Sequence, residues 1–455
     1  MLTLSSYIMA FITFPYVSRV LGVERIGLVN FVDNTINYFL LFATMGVNLL
    51  GVREIAAVKD NSEKRNKVFA NLLGLNLGFT VVTLLIYIIV ILTISKFNQY
   101  SELFYIGIAK IISTAFLVEW FFTGIENFRY VTRRGLAIKI LYVIAVFAFI
   151  RTRDDYKVYF ILTISTVIVN ALINIVYARY FVKIRLRELL NISYLKKNCI
   201  LGVYSIMTSM YLTFNVMYLG LVSNNMQVGY YTTSFKIYMV ILGLFSSFTN
   251  VMLPRMSALL AGNERDRFKE LIEKSFRAMC MFSIPIITGT VIFAPEIIYL
   301  LSGKGYEGAI IPMRIIMPSL LFVGIAQVLA LQIMTPMKKD KVLFVASVLG
   351  ALISIVINIT IVPYLESIGS AIVLLSSEFV VTTTYVIYIL QHRIIPIPFD
   401  SVWKNCLLSV PVVAVCLLCK TIIENQLISI VIAVPSTVIC WIVCKNLFTS
   451  EKQFI

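Results

Sequence analysis

The chain has 455 residues, of which 59% are hydrophobic and only 14% charged, with a mean hydropathy of +0.90. A water-soluble fold of this length has too little interior to hide so much apolar surface, so lipid is part of its solvent. The net charge of +16 would suggest nucleic acid in a soluble protein, but the basic residues fall in short segments between long apolar runs, which excludes that partner and points to anionic membrane lipids.

About fourteen apolar runs approach the roughly 20 residues needed to cross the hydrocarbon. No cleavable signal peptide leads them, because Leu2–Val20 has no basic lead and continues into further spans. After it come Leu28–Leu50, Val68–Ile94, Leu103–Ile125, the short Gly135–Ile150 and Val158–Val182. The seventh to twelfth are Cys199–Val222, Gly229–Leu253, Ala278–Leu301, Ala309–Pro336, Val342–Val362 and Gly369–Gln391. Asn405–Ile423 and Leu427–Lys445 complete an all-α integral membrane protein.

Alternate loops carry very different charge. One set holds Arg53 to Lys67, then Arg129, Arg133 and Arg134, then Lys183 to Lys197. It continues through Arg255 to Arg277, Lys338 to Lys341, Arg393 and Lys404, then Lys445 and Lys452. Roughly 26 of the 39 basic residues lie there, against about 8 on the other side, which makes this side and both termini cytoplasmic. The outer loops, such as Lys96–Glu102, Arg151–Lys157 and Gly303–Gly308, are too short to build a catalytic domain.

A shift of about 202 residues places Gly27 on Gly229, Arg53 on Arg255, and Arg65 and Lys67 on Arg267 and Lys269. The second and eighth spans then have the same orientation. Such a parallel repeat predicts two pseudo-symmetric six-helix lobes around an axis normal to the membrane. The expected organisation is a lobe over 1–182, a cytoplasmic linker over 183–198, a second lobe over 199–391, and two extra helices with a tail over 392–455. Two lobes flanking a cleft is a design for alternating access.

Ionisable residues inside spans are expensive in hydrocarbon, at about 2.5–3.5 kcal/mol each on insertion scales, and mark function or pairing. Lys139 and Arg179 lie a turn from cytoplasmic helix ends and can snorkel. Lys110 and Lys236 sit roughly 10 Å below the outer ends of their helices. Arg314 lies between Pro312 and Pro318, which free backbone carbonyls around it. Lys110, Lys236 and Arg314 are therefore the candidate binding residues for an anion such as phosphate or pyrophosphate. Asp33, Glu119 and Glu378 are the candidate ion-coupling carboxylates; either group could instead pair with the other and hold helices together. No metal site or cofactor is expected. Cys416 and Cys419 lie in an apolar helix, and His392 is the only histidine. No phosphate-binding Walker loop occurs, so direct ATP coupling is not expected.

A succession of motifs resembles the Wzx-type polysaccharide flippases of the MOP superfamily. It begins with Phe14-Pro15-Tyr16-Val17-Ser18-Arg19-Val20-Leu21-Gly22, Gly27 and Val47–Ala56. It continues with Glu119–Tyr130, Asp154-Asp155-Tyr156, Gly229-Tyr230-Tyr231, Lys236 and Leu253-Pro254-Arg255. Arg314-Ile315-Ile316, Asn358, Val362-Pro363, Gly369-Ser370-Ala371 and Glu378 close it. The chain lacks the basic segment that family members usually carry before the first helix. The resemblance implies the MOP fold, no enzymatic activity, and a bacterial inner-membrane location. It also implies a lipid-linked oligosaccharide substrate carried on undecaprenyl pyrophosphate from the inner to the outer leaflet, as in O-antigen, capsule or exopolysaccharide assembly. Polysaccharide polymerase machinery is a candidate partner. The alternatives are a MATE-type exporter of small cations, which three bases in one cleft would repel, and a membrane glycosyl polymerase or ligase, which the short outer loops disfavour.

Overall fold

A computed structural model describes residues 2–183, 186–189, 193–209, 213–422, 435–437 and 441. The chain separates into two compact units, Met1–Gly229 and Tyr230–Ile455. Ten of the described helices are long and apolar enough to cross a membrane.

In the first unit, α1 runs over Leu2–Thr44 and breaks at Gly22 (φ 76°, ψ 168°). That left-handed φ suits glycine, and the arms of α1 on either side of it overlap the first and second expected spans, the second of which runs on past Thr44 into α2. Met45 and Gly46, both with positive φ, turn the chain into α2 (Val47–Ala57). There follow α3 (Ser62–Thr93), α4 (Ser95–Asn98), α5 (Ser101–Ala115), α6 (Glu119–Gly124), α7 (Phe128–Phe149) and α8 (Tyr156–Ala178). The short α9 (Leu186–Leu189), α10 (Leu195–Ser209) and α11 (Asn215–Val222) come next. By packing, the seventh expected span groups with this unit, so the division at Gly229 falls downstream of residues 183–198.

The helix α12 (Asn225–Ala261) begins in the first unit and passes into the second. The second unit continues with α13 (Arg265–Ile292), α14 (Ala294–Ser302), α15 (Ile310–Ile316) and α16 (Ser319–Gln327). A π-helical stretch over Val328–Met334 follows, then α17 (Asp340–Thr360), α18 (Val362–Gln391) and α19 (Asp400–Ile422). The last expected span, Leu427–Lys445, lies outside the described residues apart from 435–437 and 441.

Several basic segments expected as loops are helical. α13 starts thirteen residues before the expected span, and α12 has 37 residues, about 55 Å against a hydrocarbon core near 30 Å. The projecting turns of α13 carry i,i+4 ion pairs, Lys274 with Glu270 and Arg277 with Glu273. On α3, Asn61 accepts a hydrogen bond from Lys64 N at 3.0 Å and caps the helix. Apolar periodicity ends at the membrane surface, but helix propensity does not.

Expected spans four and ten are broken inside the membrane. Between α5 and α6 the backbone turns at Val118, which has φ +37°. Between α15 and α16 the interruption at Met317 and Pro318 is a proline kink, since both residues keep right-handed helical dihedrals. α18 carries a further kink at Glu366 (φ 47°). Exposed aliphatic residues such as Leu85, Ile89 and Leu92 on α3 face outward, as expected of a surface solvated by lipid.

Candidate substrate and coupling residues

In the first unit Lys110 is closed into a polar triad. Its ammonium donates to Asp33 Oδ1 at 2.6 Å and to Asn37 Oδ1 at 2.8 Å, and Asn37 Nδ2 donates to Asp33 Oδ2 at 3.1 Å. α1 supplies Asp33 and Asn37 one turn apart, and α5 supplies Lys110. Lys110 is buried, so its charge is balanced locally. A binding candidate and a coupling candidate are thus partners here.

Glu119, at the start of α6, pairs with Arg134 of α7. Arg134 also donates to Asn174 Oδ1, which accepts a hydrogen bond from Tyr130 OH at 3.0 Å as well. The Asn174 amide donates to the carbonyl of Leu117. Leu117 lies in the break before α6, so this amide satisfies a backbone acceptor that the break had freed, which hydrocarbon requires. The sequence places Arg134 with the loop bases Arg129 and Arg133. The structure corrects this: Arg134 is buried and Asn174 fully so. The signal available was Glu119 preceding it across one predicted loop.

In the second unit, Ser234 Oγ donates to Ala309 O at 2.7 Å, joining the helix of Lys236 to the turn that leads into α15. Lys236 is half-buried. Arg314 is exposed, and its Nε donates to Val291 O at 3.2 Å. Among the described residues Arg314 has no carboxylate partner. Glu378 is buried on α18, and among the described residues nothing bonds its carboxylate. Lys236, Arg314 and Glu378 therefore share one unit, and Lys110, Asp33 and Glu119 the other.

A third intramembrane pair was not anticipated. Lys420 near the end of α19 reaches Glu296 Oε1 at 2.9 Å, and Glu296 is buried at the first turn of α14. Both residues lie near the ends of apolar runs, where charge reads as loop.

Breaks within spanning helices, buried ion pairs and short connections define a transporter-type bundle. The solved lipid II flippase MurJ in its inward closed conformation has the same fold, with a TM-score of 0.76 at 16% identity over 99% of this chain and 98% of that one. An inward-facing multidrug resistance MATE transporter of the MOP superfamily matches with a TM-score of 0.63 at 15% identity, over 87% of this chain and 94% of its own. The fold is that of the MOP superfamily. The family described as polysaccharide biosynthesis protein matches residues 1–260. The chain belongs to that family, as its motifs led us to expect. A protein of Escherichia coli (strain K12) named as an O-antigen transporter is 23% identical over 402 residues, covering 86% of this chain and 95% of its own length. One of Shigella dysenteriae with the same name is 22% identical over 382 residues, covering 83% and 94%. The chain is a multi-pass membrane transporter rather than an enzyme.

Proposed function

We propose that this transporter flips an oligosaccharide linked to undecaprenyl pyrophosphate from the cytoplasmic to the outer leaflet of the bacterial inner membrane, with both termini in the cytoplasm. The relatives named as O-antigen transporters support the substrate class. The observation that carries the reading is Arg314, a guanidinium within a span that has no carboxylate partner among the described residues. A charge so placed is stabilised by facing a polar cavity or an anionic ligand, and a guanidinium gives phosphate two parallel hydrogen bonds. Lys236 supplies a second charge from the same unit. Movement follows from alternating access of the two lobes, since a ligand shifts an equilibrium only through different affinity for its two states. Lys110 enters through coupling: a proton or cation arriving at Asp33 would release the ammonium that Asp33 now holds at 2.6 Å.

The test measures membrane abundance and outer-leaflet glycolipid together in Arg314→Ala, Arg314→Lys and Lys236→Ala. Stalled export with normal abundance in both alanine variants, and partial export in Arg314→Lys, is the expected result. The lipid-linked intermediate should accumulate on the inner leaflet. Normal abundance with normal export in both alanine variants would overturn the anion-binding role.

A further inference from the structure

Beside the Glu119–Arg134 pair, the first unit has a groove of about 370 Å³ lined by Tyr130, Leu172, Ile173, Val176, Tyr177 and Tyr180. Leu172, Val176 and Tyr180 follow i, i+4, i+8 along one face of α8 and its exit, and all three are exposed. Tyr130 of α7 closes the other side, its ring stacked on Tyr177 at 4.1 Å between centroids. Tyr177 stacks in turn on Phe122. The floor is therefore rigid: Tyr130 OH is fixed by Asn174, and the Arg134 guanidinium lies 5.6 Å from the Tyr130 ring.

Arginines adjoin the lining residues along the chain, Arg129 next to Tyr130 and Arg179 next to Tyr180. Arg129 and Arg133 sit one turn apart at the start of α7, and Arg179 caps the end of α8. All three are exposed, and among the described residues none has a carboxylate partner. The nearby carboxylates are already engaged, Glu126 by Lys59 at 3.1 Å and Glu119 by Arg134. The groove thus joins an apolar trough along α8, closed by Tyr130 of α7, to exposed arginines at the ends of the two helices, a combination of tyrosine and arginine that suits a headgroup layer.

We propose that this groove is a binding site for an anionic glycerophospholipid from the leaflet on the basic side of the protein. One acyl chain lies along Leu172, Ile173 and Val176, and the phosphate meets Arg129 and Arg179. A zwitterionic lipid fits the trough equally well but leaves the arginines without net countercharge. The site is separate from the substrate residues, and it does not depend on the flippase reading. Through Tyr130 and Asn174 the bound lipid rests against the helix break at Leu117, so its occupancy bears on the setting of α6.

The test is native mass spectrometry of the full chain in detergent, titrated with phosphatidylglycerol, phosphatidylethanolamine or undecaprenyl phosphate. Phosphatidylglycerol should bind preferentially. At about 1 kcal/mol per interfacial arginine, Arg129→Ala with Arg179→Ala should weaken it roughly 30-fold. Leu172→Trp, which fills the trough, should remove binding while leaving the arginines in place. Lys269→Ala, an exposed base in the other unit, should change nothing. Equal binding of phosphatidylglycerol and phosphatidylethanolamine would overturn the proposal. So would displacement of phosphatidylglycerol by stoichiometric undecaprenyl phosphate, or an equal loss in Lys269→Ala.

Discussion

Replacing Glu119 and Arg134 by leucine, singly and together, tests whether their pair stabilises the first unit as the geometry requires. The two ends of the pair differ. The Arg134 side chain is 6% exposed, whereas that of Glu119 is 50% exposed. Glu119→Leu leaves a buried guanidinium with only Asn174 and the Tyr130 ring beside it, and breaking a buried pair in this way costs about 3–5 kcal/mol. The surviving bond to Asn174 returns about 1 kcal/mol, so a loss of about 3 kcal/mol is expected. Arg134→Leu strands a half-exposed carboxylate that water can solvate, and Asn174 keeps its bond from Tyr130, so the loss should be about 1 kcal/mol. The double variant strands no charge and should lose about 1 kcal/mol or less, because apolar replacement of both partners is close to neutral. The single losses would then exceed the double by about 3 kcal/mol. The assay is reversible unfolding of the purified protein in mixed micelles by increasing the denaturing detergent fraction, with tryptophan fluorescence as the readout. Additivity within about 0.5 kcal/mol, the behaviour of independent sites, would refute a coupled pair. Pairwise terms in membrane proteins average about 0.6 kcal/mol, so a coupling near 3 kcal/mol also distinguishes this cluster from ordinary interhelical contacts.

Reporter fusions after Lys196, Arg265 and Lys339 should report cytoplasm, and fusions at Asn98 and Asn224 the outside; an external signal from Arg265 would overturn the orientation. Glu378→Gln should flatten the pH dependence of transport more than Glu119→Gln or Asp33→Asn, because those two carboxylates already hold an arginine and a lysine; an unchanged pH profile in all three variants would dispose of carboxylate coupling. Gly27→Ala should remove folded protein from the membrane, since its Cβ would lie 1.7 Å from the Asn225 carbonyl oxygen and relief of such a clash costs about 3 kcal/mol or more; normal abundance of this variant would contradict the close approach of α1 to the first turn of α12.

Most span positions were legible because hydrocarbon imposes length and apolarity on every crossing, although the expected spans Gly135–Ile150 and Cys199–Val222 are not among the ten described helices that meet both demands. Ends were less legible. The helical extension of α13 back to Arg265 depends on i,i+4 pairs such as Glu273 with Arg277, which hydropathy does not register. The breaks at Val118 and Met317–Pro318 differ in the same respect. Prolines announced the second, while the first is satisfied by Asn174, 57 residues further along the chain, and nothing in the local sequence marks that partnership. Among the candidate residues, charge within an apolar run marked Lys110, Lys236 and Arg314, but the sequence left open which acid met which base. Gly27 and Gly229, aligned by the repeat, turn out to meet: the Cβ position of Gly27 lies 2.7 Å from Gly229 N. A one-dimensional alignment carries no sign of that. Arg134, Glu296 and Lys420 escaped notice because charge near the end of an apolar run looks like a loop.

The three ion pairs that each contain a buried member share an order along the chain. Asp33 precedes Lys110, Glu119 precedes Arg134, and Glu296 precedes Lys420. During synthesis the acid therefore leaves the ribosome first, in the second pair by 15 residues, or about one to three seconds at ordinary elongation rates. A carboxylic acid can enter lipid protonated and neutral, whereas arginine keeps its charge under all ordinary conditions. Each base thus reaches the insertion machinery after its counter-charge has entered it. α7, whose first two turns carry Arg129, Arg133 and Arg134, is the segment with most to gain from this order. Exchanging the two residues within a pair would preserve the bond and reverse the sequence of arrival, so that a lysine or arginine entered the bilayer with no acid waiting for it.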